Sequence, residues 1–286
     1  MLTRDFADNV LYANALMYQP PPLQGWLLTL VHLGSANLAA LSVGAGALQL
    51  LLGLGILYRR SRRLALGASV AWALTVWVAG EGLGGMATGT ALVEFGAPGA
   101  ALLYAVVALL VWPQPRARLG LLGERGARLI WSGLWLLAAL LHFQPRFPTG
   151  AVLAYNLQST AQQQPGGLAD LDYHLAQLAA AHGLEVALGL AVAELLLAVG
   201  VWSNRWRRAT LYAGALLTLG FWVLAQALGG LAGGLGSDPG AAPLVLLLAL
   251  AVHPCRPRPA SLPAPAPQPA RGRDLGASPA QPQTHG

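Results

Sequence analysis

The chain has 286 residues, of which 55% are hydrophobic and only 10% charged, with a mean hydropathy of +0.54. A water-soluble fold of this length needs more charge to cover its surface, so the composition points to an integral membrane protein. The net charge of +6 comes from arginine alone, in short clusters between apolar runs, which is the pattern of cytoplasmic loops and excludes a nucleic-acid-binding reading. The single cysteine, Cys255, excludes an internal disulfide and a paired-cysteine redox motif.

Seven apolar spans are predicted, giving an all-α, polytopic membrane helix bundle with about 7 transmembrane helices. The first lies within 26–57 and is long for one crossing, so either its start projects from the membrane or it bends near Gly34. The others are about 64–85, 98–112, 128–142, 178–202, 209–230 and 241–253. Residues 1–20 lack the basic start and apolar run of a cleavable signal peptide. Arginine clusters follow the first, third, fifth and seventh spans: RRSRR at 59–63, RARLGLLGERGAR at 116–128, NRWRR at 204–208, then RPRP and RGR in the tail. All fall on one side of a seven-crossing chain, taken as the cytoplasm of a bacterial plasma membrane, which leaves the amino terminus outside. The Gly-rich segments 80–99 and 227–242 are read either as surface loops or as re-entrant chain, which at that depth must be buried in protein or line a wet cavity. The Pro/Ala-rich tail 254–286 has too little apolar surface to fold and is expected to be disordered.

Residues 37–86 align with 182–231 without a gap, with sixteen identities in fifty pairs. Arg60, Arg62 and Arg63 pair with Arg205, Arg207 and Arg208, Trp77 pairs with Trp222, and Gly84 and Gly85 pair with Gly229 and Gly230. Pro98 keeps the same offset to Pro243. Upstream, VLYAN at 10–14 resembles VLAYN at 152–156. The expected organisation is a first membrane repeat, 1–113, lacking its first helix, a cytoplasmic linker, 114–127, a second repeat, 128–253, and the tail. A helix encoded ahead of Met1 would complete the first repeat; three helices, a linker helix and three more is the other arrangement. Two four-helix units would share one orientation, as parallel repeats.

Charge within a membrane is costly and marks candidate function. Glu81 stands near the outer end of the second span in WVAGEGLGG, and its counterpart in WVLAQALGG is Gln226. Glu185 lies near the outer end of the fifth span and Glu194 near its middle, opposite Gln49 in the first copy. His182 and Glu185, three apart, share a helix face. The candidate intramembrane polar site is therefore Glu81, Gln226, Glu185, Glu194 and His182, acting catalytically or as hydrogen-bonding spacers between helices. One histidine and one glutamate are too few for a metal centre, so no metal is expected. His32, His142, His174, His253 and His285 are assigned to span ends or loops. Gly44, Gly46, Gly53 and Gly55 are expected to let helices approach closely.

The stretch GLAVAELLLAVGVWSNRWRRATLYAGALL at 189–217, a helix with a mid-span acid followed by a basic turn and another helix, resembles the DoxX-like membrane proteins. That superfamily of four-helix units includes the DoxD-type subunit of thiosulfate:quinone oxidoreductase. The resemblance covers about 128–253, and more weakly 10–112. It implies a quinone-linked redox or respiratory accessory protein, with quinone as a cofactor near Glu81 or Glu194 and a membrane redox partner or a homo-oligomer. The residues leave two other readings open: a small-solute or proton-coupled transporter, and a non-catalytic membrane scaffold.

Overall fold

A computed structural model describes residues 16, 19–115, 119–144, 149–230 and 238–254. VLYAN, part of the 116–128 cluster, part of 227–242 and the tail from 255 on lie outside them. Among the described residues the chain is entirely helical, with ten α-helices and three short 3-10 turns.

The two halves break into helices at matching residues. In the first half, α1 runs Pro21–Ala36, α2 Leu38–Leu57, α3 Arg62–Ala79 and α4 Ala100–Leu110. α5, Gly123–Leu141, and α6, Thr149–Ala161, lead into the second half. There α7 runs Gly166–Ala181, α8 Gly183–Gly200, α9 Arg207–Leu224 and α10 Ala241–Val252. Prolines fix the entries: Pro20 precedes α1 and Pro165 precedes α7, each holding the extended backbone from which a helix can start. The expected bend in the first long span falls at Asn37 rather than Gly34. Asn37 leaves helical geometry at φ −131°, ψ 42°, and His182 breaks the fifth span alike at φ −128°, ψ 39°. One backbone device thus splits the long apolar run in both copies.

The repeat extends to the loops, with one correction. Past α3, residues Gly82, Leu83, Gly84 and Gly85 all have positive φ, as do Ala227, Leu228, Gly229 and Gly230 past α9. Such a run is unfavourable for L-residues, so the backbone around it must hold it in place. A tryptophan closes each loop: Trp77 Nε1 donates to the Pro98 carbonyl at 2.6 Å, and Trp222 Nε1 donates to the Pro239 carbonyl at 2.8 Å. Pro98 therefore matches Pro239, not Pro243, because 21 residues separate the first pair and 17 the second. The loop in the first copy is the longer one. Gly84 and Gly229 lie against these proline carbonyl groups, where a Cβ has no room.

The longer loop does not lie on the surface. Ala91, Leu92, Val93 and Ala97 are buried in the main core with Trp131, Trp135 and Leu248. Gln144 on the far side of α5 holds it by donating Nε2 to the Ala91 carbonyl at 2.6 Å. Segment 80–99 is thus packed within protein.

Packing pairs α3 with α4, α9 with α10, and α4 with α10 across the repeat; α5 lies along α8. Trp131, fully buried on α5, donates Nε1 to the Leu197 carbonyl at 3.0 Å, and Ser132 Oγ donates to the Ala198 carbonyl at 2.7 Å. Trp131 and Trp135 meet edge to face with centroids 5.6 Å apart. Under α5, α8 buries Ala187, Ala191, Glu194, Leu197 and Ala198, whereas α2, its counterpart, buries nothing among the described residues. Gly44, Gly46 and Gly53 accordingly have open space beside them, and of the four glycines expected at helix contacts only Gly55 meets another helix, at Ala65.

The segment between α5 and α8 forms a helical hairpin of α6 and α7. Gln164 ties it to α9, donating Nε2 to the Val223 carbonyl at 2.8 Å and to Asp172 Oδ2 at 2.7 Å. Its counterpart Gln19 donates to the Gly82 carbonyl at 3.2 Å. Burial pushes the Asp172 carboxyl above its ordinary pKa, and the Gln164 bond opposes that rise.

Two described helices are long and apolar enough to cross a membrane, α2 and α8, the same helix of the two copies. α4 and α10 are apolar but shorter.

Candidate functional site

Three ionisable side chains meet in the interior. Glu94 comes from the 3-10 turn Val93–Phe95 in the long loop, His142 from the end of α5 and Glu194 from α8. His142 Nε2 lies 3.0 Å from Glu94 Oε1 and 3.2 Å from Glu194 Oε2. The histidine and Glu194 side chains are 0% exposed and that of Glu94 is 3% exposed, so water does not solvate the charges. Uncompensated, each buried charge would cost several kcal/mol, on the order of the whole stability of a domain. The carboxylates must therefore be neutralised through the imidazole, by protons, or by a cation.

Four side chains fix this geometry. The Trp131 and Ser132 bonds set α5 against α8 and so hold the His142 and Glu194 helices together. Gln144 Nε2 donates both to the Leu141 carbonyl at 2.7 Å and to the Ala91 carbonyl, and together these bonds pin the chain beside His142 to the loop that carries Glu94. Gln226 Nε2, from the second copy, donates to the Glu94 backbone carbonyl at 3.0 Å.

Only one of the five residues singled out from sequence, Glu194, sits in this cluster. Glu81 is not inside a helix: α3 ends at Ala79, and Glu81 follows the Gly80 cap. Its Oε1 accepts from Ala101 N at 3.0 Å, so the carboxylate caps the start of α4, where the helix dipole favours negative charge. Gln226 repeats the arrangement, its Oε1 accepting from Ala242 N at 3.2 Å at the start of α10. The two copies differ because only the amide can also donate, and Gln226 spends that donor on Glu94. His182 and Glu185 are both exposed at the start of α8 and do not reach the cluster.

His142, assigned from sequence to a span end, is fully buried at the centre. Glu94 was not singled out, because EFG in a Gly-rich loop reads as surface chain. The signal available was an acid within a segment suspected of dipping inward. A small apolar pocket nearby is lined by Val93, Trp135, Thr218, Phe221, Gln226 and Val245.

Comparison with protein-family models, with curated proteins and with solved structures found no match.

Proposed function

We propose that this chain is a multi-pass bacterial plasma-membrane protein of seven crossings in two like-oriented repeats. It serves quinone-linked redox chemistry as an accessory subunit, with Glu94, His142 and Glu194 as its working centre. The observation that carries the reading is the burial of that cluster, with His142 Nε2 within 3.2 Å of both carboxylates, inside an otherwise apolar bundle. Support for the architecture comes from the matched helix boundaries and from the arginine turns that open α3 and α9. The quinone assignment draws on the DoxX-like pattern. The transport reading gains less, because Glu81, which would line its path, is engaged as a helix cap.

Two measurements test this. In a Cys255→Ser background, Arg59→Cys and Asn204→Cys should both resist a membrane-impermeant maleimide in intact cells; labelling of only one refutes like-oriented repeats. Purified protein should carry quinone and support quinol oxidation by membranes, and Glu194→Gln should lower that rate at least tenfold. Absence of bound quinone together with an unchanged rate refutes the redox assignment.

A further inference from the structure

We propose that Glu94, His142 and Glu194 hold one divalent first-row transition-metal ion, Mn2+, Fe2+ or Zn2+. This rests on the reading that the cluster is the working centre, and it names what occupies it.

Two carboxylates converge on one ring nitrogen. Glu94 Oε1 and Glu194 Oε2 approach His142 Nε2 to 3.0 and 3.2 Å, and a single N–H cannot lie along both lines. All three ligand atoms lie within 4.8 Å of one another. Ligands bound at roughly 2.1 Å and at right angles around an ion are themselves roughly 3 Å apart, so small side-chain movements bring all three into a coordination sphere. The remaining oxygens, Glu94 Oε2 and Glu194 Oε1, are buried without a hydrogen-bond partner among the described residues. Buried carboxylate oxygens left without partners call for a proton donor or a cation. A divalent ion cancels the charge of two carboxylates beside a neutral imidazole, leaving the apolar core with no net charge.

The donor set limits the ion. Mg2+ and Ca2+ take oxygen ligands and few imidazoles, and Cu(I) prefers sulfur, which the cluster lacks. One nitrogen and two carboxylates suit Mn2+, Fe2+ and Zn2+, and three protein ligands leave a coordination position open to a small molecule. The supports around the cluster are those a metal site needs. Each ligand sits on a different element, and each element is tied to a neighbour: the Glu94 turn by Gln226, the chain at His142 by Gln144 through the Ala91 carbonyl, and α8 by Trp131.

The test uses the full chain in detergent. It is stripped with chelator, reconstituted anaerobically with Mn2+, Fe2+ or Zn2+ in separate samples, passed through gel filtration and analysed by elemental mass spectrometry, with no quinone present. About one ion per chain is expected with at least one of the three metals. Glu94→Gln, His142→Ala and Glu194→Gln should each weaken affinity at least tenfold. Because a ligand variant can fail to fold, Gln226→Ala forms a second arm. Its side chain touches no ion, and losing its hold on the Glu94 turn should weaken affinity about 10–100-fold with helix content unchanged. Less than a tenth of an ion per chain with all three metals, or wild-type affinity in folded ligand variants, overturns the proposal. A chain that holds the ion but neither binds nor oxidises quinol leaves the metal site standing and removes only the redox assignment.

Discussion

Exchanging Gln226 for glutamate gives the second copy the residue the first copy has at Glu81, yet the structure makes the two positions unequal. In Gln226→Glu the acceptor for Ala242 N survives, since a carboxylate caps α10 as well as an amide oxygen does. The donor to the Glu94 carbonyl is lost, and that bond crosses from one copy to the other. Leaving that buried carbonyl unsatisfied should cost about 1–3 kcal/mol. At about 2–4 °C per kcal/mol for a chain of this size, thermal unfolding in detergent should fall by about 2–12 °C at pH 8. Acidification should shrink the loss, because a protonated carboxyl regains an O–H donor. The reverse exchange, Glu81→Gln, keeps the acceptor for Ala101 N and leaves the bond from Gln226 to the Glu94 carbonyl intact, so its cost should be the smaller. Equal losses for the two variants, or a Gln226→Glu protein as stable as wild type at pH 8, would refute the reasoning.

Gly214→Ala on α9 sets a Cβ 2.6 Å from the Trp131 ring and should push that ring off the Leu197 carbonyl. Overpacking of this kind costs about 1–3 kcal/mol, read as a lowered unfolding temperature and a shift in tryptophan fluorescence; unchanged values for both would show that the ring has slack. Asp172→Asn removes a carboxyl whose pKa burial has raised. A raised folded-state pKa means that the folded chain binds the proton more tightly. The carboxyl therefore costs stability above the unfolded-state value of about 3.8 and nothing well below it. The variant should be more stable than wild type at pH 7 and equal to it near pH 3, and a benefit independent of pH would refute that origin.

Much of the fold was legible because it rests on local rules. Apolar run length, the arginine turns and the prolines before α1 and α7 gave the helices and their repetition. What escaped were features set by long-range packing. The second span ends early, at Ala79, because the left-handed run after it cannot continue a right-handed helix, and a shared WxxxxxLGG spacing does not reveal handedness. The Pro98–Pro243 match failed because sequence offset carries no record of which carbonyl a tryptophan reaches. At the site, Glu194 was visible as an acid in an apolar helix, while His142 was masked by its place at a helix end and Glu94 by its glycines. No local pattern joins three residues that approach only when α5 lies on α8 and the long loop folds beneath them.

That the trio draws Glu94 from one half of the chain and His142 and Glu194 from the other has a consequence for how the halves can be separated. Neither half produced alone would contain all three side chains. Pairing two identical halves would not restore them either, because the first copy offers Gln49 where the second has Glu194. Among the described residues the trio forms only where the two halves pack together, so each half depends on what the other brings to it.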